Sequence, residues 1–421
     1  MKIESSQLKK AIPVLKTIAP RKSTFRALES LLIRRHNGVT RITANDLDRQ
    51  LTYTVPGSVA PATSELGRRI QTSAWEREND TFLVPMDTIE EAAKKAIGEI
   101  EFVHTVTQHE KESDDDETEY VQHHTVAMHY ECKGGVVVDR EVSTLDHNDY
   151  VETLMTLSCD MRWQPFTEAS KKRFVQFCEA ASTDETRYVL NGVYIENGTY
   201  TSGWGDSKET HSGHDPVIVA TDGRRLAYSY SDVPVLEESI IFPLTKAITN
   251  RTFQSKPWRI GYAPPVEGKG KNAEPIQKEL VAVTSGDFMF VTKLLEGNYP
   301  NFRQIMLEDH EFKIIGKFDP KALLEGIRAL PKIEGNALDT LVMELRPESI
   351  HVSRDEAHFE IPFFRSRSKE EIGTVRLSAK FVETPLKWGL DTFCYANHDR
   401  PARFQNDDAE YIIMPMRAPN E

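Results

Sequence analysis

Three groups of residues in this 421-residue chain have types suited to chemistry. Asp184, Glu185 and Asp222 are carboxylates of the kind that general acid–base catalysis pairs in one cleft, but nothing in the sequence fixes their separation. His123, His124, His129 and Cys132 are metal-ligand types. Their spacing matches no zinc pattern, and the reading is a polar strand bordering an acidic run. Gly268-Lys269-Gly270-Lys271 lacks the following Ser or Thr and the preceding strand of a phosphate-binding loop. No catalytic residue, metal ligand set or cofactor is expected, and the chain is read as a non-enzyme.

A fourth chemistry is plain charge. Lys9, Lys10, Lys16, Arg21, Lys22, Lys171, Lys172, Arg173, Lys246 and Arg251 lie in or beside segments with helical periodicity. Six such segments recur: Ser5–Ile18, Pro85–Gly98, Thr167–Ser182, Pro243–Gln254, Asp319–Pro331 and Ser378–Gly389. Their formal charges sum to +6, whereas the chain carries −13. Helices sharing one basic surface would contact phosphates without reading bases, while the remaining acidic surface is repelled. The alternative is that Lys and Arg simply solvate exposed helix faces.

The elements that must position these residues repeat. Each block opens with an amphipathic helix: Leu8, Ile12, Leu15 and Ile18 in the first, Phe174, Phe177, Cys178 and Ala181 in the second, Leu323, Leu324, Ile327 and Leu330 in the third. Thr167 and Asp319 suit N-caps, and Pro320 suits a first helical turn. Alternating strands with Asn-Gly or Pro-containing turns follow, among them the stretch Val189 to Glu196. A second helix and more strands close each block. A fixed order met three times predicts three copies of one α+β domain, at 1–158, 159–306 and 307–421. Insertions are expected near 58–80 and 105–125, the latter holding the acidic run 110–119. Gly203–Asp215 and Gly261–Gln277 also read as exposed loops.

Hydrophobic residues make up 39% and charged residues 28%, the balance of a soluble globular protein. No apolar run reaches membrane-spanning length, and Met1 to Ser6 has no apolar signal core. Cys132, Cys159, Cys178 and Cys394 stand apart, as reduced thiols of a cytoplasmic protein do. Without a secretory signal, the sequons at Asn197 and Asn250 carry no weight.

Four stretches carry a family resemblance: ETRYVLNGVYIE (185–196), VIVATDGRRLAY (217–228), SGDFMFVTKLLEGNYPNFR (285–303) and YIIMPMR (411–417). In this order, spread over most of the chain, they resemble the bacterial DNA polymerase III beta subunit, the beta sliding clamp. Residues 24–54 also fit that family's first strands. The resemblance implies three repeated DNA-clamp domains, each with two helices packed on antiparallel sheets. It implies a ring formed by a head-to-tail homodimer, with helices lining the hole and sheets forming the outer wall. The implied function is a processivity factor that encircles double-stranded DNA without sequence preference. It would be placed there by a clamp loader and would tether DNA polymerases and repair factors through a short peptide motif. A clamp-like paralogue that binds peptides without being loaded on DNA is the alternative.

Carried onto matching positions, the implied peptide pocket takes Arg187, Leu190, Thr221, Gly223, Arg225, Leu226, Pro300, Ile305, Met414, Pro415, Met416 and Arg417. Leu, Ile, Met and Pro would form an apolar slot, and Arg and backbone groups would fix polar atoms. Arg21 and Lys22 match a DNA-contacting loop of the family. The dimer seam is expected near Val142, against the helix carrying Ile327 and Leu330. Two departures stand out: Gln304 sits where Arg is common, and Ala418 to Glu421 run past the usual end.

Overall fold

The computed structural model describes residues 1–57, 80–112, 118–150, 161–202, 209–265, 279–332, 339–368 and 373–417. Nearly all of the expected 58–80 insertion, part of the Gly203–Asp215 and Gly261–Gln277 stretches, Cys159 and the 418–421 extension lie outside these residues. Seven α-helices occur among the described residues: α1 (Ser5–Leu15), α2 (Met86–Lys95), α3 (Glu168–Phe177), α4 (Lys246–Thr249), α5 (Arg251–Gln254), α6 (Pro320–Ala329) and α7 (Ala379–Trp388). The chain divides into two compact units, Met1–Pro165 with Thr245–Lys293, and Phe166–Leu244 with Leu294–Glu421.

The first unit holds an eight-stranded sheet in the order Asp80–Pro85, Ser30–His36, Val39–Asn45, Arg49–Thr54, Phe288–Lys293, Leu280–Ser285, Trp258–Ala263 and Trp163–Pro165. Its centre is the antiparallel pairing of Leu51 with Phe290 and Tyr53 with Phe288. The Tyr53 and Phe288 rings lie 4.8 Å apart. A second sheet orders Lys2–Glu4, Ala96–Glu112, Thr118–Cys132 and Val136–Thr144. Helix α1 buries Leu8, Ala11, Ile12 and Leu15, and α2 buries Ile89, Ala92 and Ala93. These spacings of three and four turn one stripe of each helix to the core. The Asn250 amide, capping α5, reaches Pro13 O at 3.5 Å and so ties α5 to α1.

The second unit holds a nine-stranded sheet: Ile240–Pro243, Gly192–Glu196, Val217–Thr221, Arg225–Ser229, Glu410–Ile413, Ala402–Gln405, Thr392–Tyr395, Ile314–Lys317 and Arg365–Ser368. A four-stranded sheet of Ala357–Pro362, Ser349–Arg354, Thr340–Leu345 and Gly373–Ser378 packs with α6 and α7. The sequence signals place the ends of these helices. Thr167 Oγ1 accepts from Ser170 N to cap α3, Asp319 caps α6 ahead of Pro320, and Gly389 closes α7 at φ +82°. Gly326 on α6 lets the Phe359 ring approach to where a Cβ would stand 2.3 Å away.

Several expectations need correction. The segment Pro243–Gln254 is two single turns rather than one helix. Asn250 takes an extended ψ of 129° and caps the second turn through its side chain. The stretch before Gly192 forms a 3-10 helix, Glu185–Leu190, capped by Asp184, and strand begins only at Gly192. The 105–125 insertion is mainly a ladder: Ala96–Glu112 pairs with Thr118–Cys132, so both ends of the acidic run are strand. Thr and Val at alternate positions suit the pleat. Gly261 to Ala263 likewise close a strand instead of opening a loop.

Candidate peptide pocket and nucleic-acid interface

The residues expected to form an apolar slot lie in the second unit, on and around one face of the nine-stranded sheet. Leu226 pairs directly with Ile412, and the two pack with Val217, Val219 and Phe302. Ile305, Met306, Tyr299, Tyr194 and Tyr228 cover this cluster. The 297–305 segment is held against the 3-10 helix, since a Cβ on Gly297 would lie 2.8 Å from Val189. Leu190 is buried at the end of that helix. Pro300 and Gln304 are exposed on the same segment.

The 221–226 hairpin frames one side. Thr221 Oγ1 donates to Arg225 O at 2.6 Å and accepts from Gly223 N at 3.0 Å. Gly223 takes φ +85°, and Arg187 Nη1 donates to Asp222 O at 3.3 Å. The C-terminal segment leaves its strand at Ile413 and is fixed by its backbone. Met414 N donates to Arg224 O at 2.9 Å, and Met416 N to Arg376 O at 2.8 Å. Met414 and Arg417 are exposed, while Pro415 and Met416 are half-buried. The strand Glu410–Ile413 is internal, paired on both sides, so the 414–416 stretch is not an edge strand. The structure thus brings together Leu226 and Ile305, while Leu190 is buried at the end of the 3-10 helix and the start of the C-terminal segment is tied by its backbone to Arg224. It adds Ile412, Arg224 and Arg376, which the sequence reading missed. The alternation of Tyr411, Ile412 and Ile413 carried the signal for Ile412. Arg225 lies on the opposite face of the sheet, its side chain only 9% exposed.

Two of the three carboxylates considered for catalysis, Asp184 and Asp222, serve turns here. Asp184 Oδ1 accepts from the Thr186 hydroxyl and amide, bonds that hold its carboxyl below the ordinary range. Asp222 Oδ1 accepts from Arg224 N and Arg225 N at 2.9 and 3.1 Å. Among the described residues no three His, Cys, Asp or Glu side chains are placed to hold a metal ion. His124 is buried against His104, with ring centroids 5.5 Å apart, while His123 is exposed.

The basic candidates fall into two kinds. In the first unit Lys9, Arg21, Lys22, Lys246 and Arg251 are exposed. Lys10 is half-buried, paired with Asp287 at 2.9 Å, and Lys16 is paired with Glu90. Lys16, Arg21 and Arg26 line a cleft of about 540 Å³ together with Ser30, Met86 and Thr144, which adds Arg26 to the basic residues. In the second unit Lys172 is exposed, but Lys171 and Arg173 need correction: both are buried. Lys171 pairs with Glu168 at 2.8 Å. Arg173 pairs with Asp408 at 3.1 Å with its side chain 6% exposed, so these two charges are spent inside the unit. Of the residues expected at a dimer seam, Val142 is half-buried on the last strand of its sheet, open on its far side among the described residues. Ile327 and Leu330 are corrected to core positions, at 0% and 7% exposure. Leu330 O also accepts from Arg354 Nη1 at 3.1 Å.

No protein-family model matches the chain. Curated relatives do. The beta sliding clamp of Pseudomonas putida is 24% identical over 294 residues, 66% of this chain and 71% of the relative. That of Pseudomonas aeruginosa is 24% identical over 261 residues, 56% of this chain and 60% of the relative. Among solved structures, the DNA polymerase sliding clamp of Bacillus subtilis aligns with a TM-score of 0.71 at 15% identity, over 99% of this chain and 98% of that one. The Pseudomonas aeruginosa clamp bound to griselimycin aligns with a TM-score of 0.68 at 16% identity, over 99% of both chains. The likeness carried by four motifs in the sequence therefore extends in fold across nearly the whole chain, which is similar in sequence to curated beta sliding clamps and in fold to solved DNA polymerase sliding clamps.

Proposed function

We propose that the chain is a DNA sliding clamp, a non-enzymatic cytoplasmic processivity factor that closes as a head-to-tail homodimer around duplex DNA. The observation that carries this reading is the clamp fold along 99% of the chain. Three domains, 1–158, 159–306 and 307–421, are consistent with the sheets. The eight-stranded sheet draws four strands from each of the first two ranges, and the nine-stranded sheet joins the last two. Among the described residues each range holds two α-helical segments: α1 and α2, α3 and α4–α5, α6 and α7.

Exposed Lys9, Arg21, Lys22, Lys172, Lys246 and Arg251 supply phosphate contacts that read no base. Closure supplies retention, so each contact can be weak. The slot of Leu190, Leu226, Ile305, Ile412 and Met414 takes apolar side chains of a peptide from polymerases, repair factors or the clamp loader. Each fully buried Leu- or Phe-sized side chain contributes roughly 1.5–3 kcal/mol, so two of them suffice for a transient tether. The seam places the open strand edge around Val142 against a second copy.

The test is loading. Purified chain, incubated with clamp loader and ATP on nicked circular DNA, should co-elute with the circle and fall off when the circle is cut. Peptide binding without retention on the circle would favour the alternative, a peptide-binding paralogue that is not loaded.

A further inference from the structure

We propose that Arg225 is a positioning residue of the peptide slot and makes no contact with the peptide itself; this rests on the pocket reading above. Arg225 and Leu226 are neighbours in one strand, so their side chains leave on opposite faces of the sheet. The pairing extends the rule across the ladder: Leu226 faces Ile412 on the slot side, while Arg225 is paired with Ile413 and Ala227 with Tyr411 on the other.

On that other face every part of the guanidinium is engaged. Nε donates to Asp222 Oδ2 at 2.9 Å, Nη1 to the Tyr411 hydroxyl at 3.2 Å and Nη2 to Glu179 O at 2.6 Å. Its flat face lies 4.7 Å from the centre of the Phe381 ring on α7. Glu179 belongs to the turn after α3, so one side chain fastens four elements: the hairpin turn, the strand 410–413, the end of α3 and α7. The fixed fork of an Arg suits such a junction in a way a Lys ammonium does not.

Tyr411 is the second half of the fastening. It is fully buried, and burial pushes its phenol up to about 12, so it stays neutral. Its ring meets Trp388 edge-on at 5.1 Å, and Trp388 in turn packs on Phe177 of α3 at 5.6 Å. Tyr411 and Arg225 thus lock the helix-side face of the two strands whose other face forms the slot. Loss of either lets Leu226 and Ile412 drift apart without removing any atom a peptide would touch.

The experiment uses full-length protein labelled with 5-fluorotryptophan and titrated with griselimycin, the ligand carried by a solved clamp. Arg225→Lys and Tyr411→Phe are each expected to weaken binding roughly tenfold, the scale of one lost hydrogen bond to a charged group. The double variant should be little worse than either single one, because both break one network. The Trp388 fluorine resonance should shift in all three. Leu226→Ala should weaken binding and leave that resonance in place. Wild-type affinity in Tyr411→Phe beside a loss in Arg225→Lys would make Arg225 a direct contact and overturn the proposal. Wild-type protein that binds no griselimycin would remove the pocket reading, and this role with it.

Discussion

His104 illustrates how a single side chain sets a pH response away from any site. It is half-buried, stacked on Phe82 at 5.7 Å and on His124, with Nε2 3.3 Å from His124 Nδ1. Burial lowers its pKa from the ordinary 6.5, His124 and His147 lower it further, and Asp80 and Asp146 oppose them. Its folded pKa lies below its unfolded one, so below pH 6.5 the unfolded chain binds the extra proton first. The stabilisation is complete above the unfolded value and is lost as pH falls through the folded one. His104→Phe keeps a ring against Phe82 and cannot titrate. Its midpoint in urea should therefore fall less than that of the wild type between about pH 7.5 and about pH 5, and identical slopes would refute the assignment. Gly223 gives a second residue-scale expectation. Its φ of +85° is left-handed, and a Cβ there would lie 2.9 Å from Arg187 Nη1. Gly223→Ala should cost about 1–2 kcal/mol in urea unfolding and move Arg187; an unchanged midpoint would show that the hairpin tolerates a side chain.

At the scale of elements, the C-terminal segment is where the slot is most exposed to change. Residues 414–417 are held by two backbone hydrogen bonds, to Arg224 O and Arg376 O, and make no strand of their own. Deleting 414–421 removes the exposed Met414 and its backbone tie to Arg224, but leaves the strand Glu410–Ile413 and its ladder intact. Peptide or griselimycin binding should be lost, while sedimentation still reports a dimer; unchanged affinity would exclude the slot. The sequence made most elements legible because their signals are local: caps at Thr167 and Asp319, apolar stripes on α1 and α6, and Asp222-Gly223 between two strands. It blurred where distant partners decide. The ladder around the acidic run depends on two strands about twenty residues apart finding each other, as Val106 finds His124. Lys171 and Arg173 share a helix with exposed Lys172, and only the position of Asp408 reveals that Arg173 turns inward. The slot was half legible. Leu226 and Ile412 follow from alternation, and the same alternation forbids Arg225 from sharing their face.

At the scale of the whole molecule, the proposed clamp has to hold a polyanion with a chain of net charge −13. An electrostatic binder with six phosphate contacts loses on the order of a thousandfold in affinity when salt rises from about 50 to about 200 mM. A closed ring does not, because escape from a circle requires opening a seam rather than breaking ion pairs. The exposed cations Lys9, Arg21, Lys22, Lys246 and Arg251 would then govern how readily DNA enters, and not how long it stays. Reversing two of them, Lys246→Glu with Arg251→Glu, touches only residues exposed on short helical turns, so folding should survive. The double variant should load onto nicked circles severalfold more slowly, with a shallower salt dependence of the loading rate. Once loaded, wild type and variant should remain on the circle alike through a salt challenge of about 0.3 M and leave alike when the DNA is cut. Salt that strips the wild-type chain from an uncut circle would show that charge, and not closure, keeps it there.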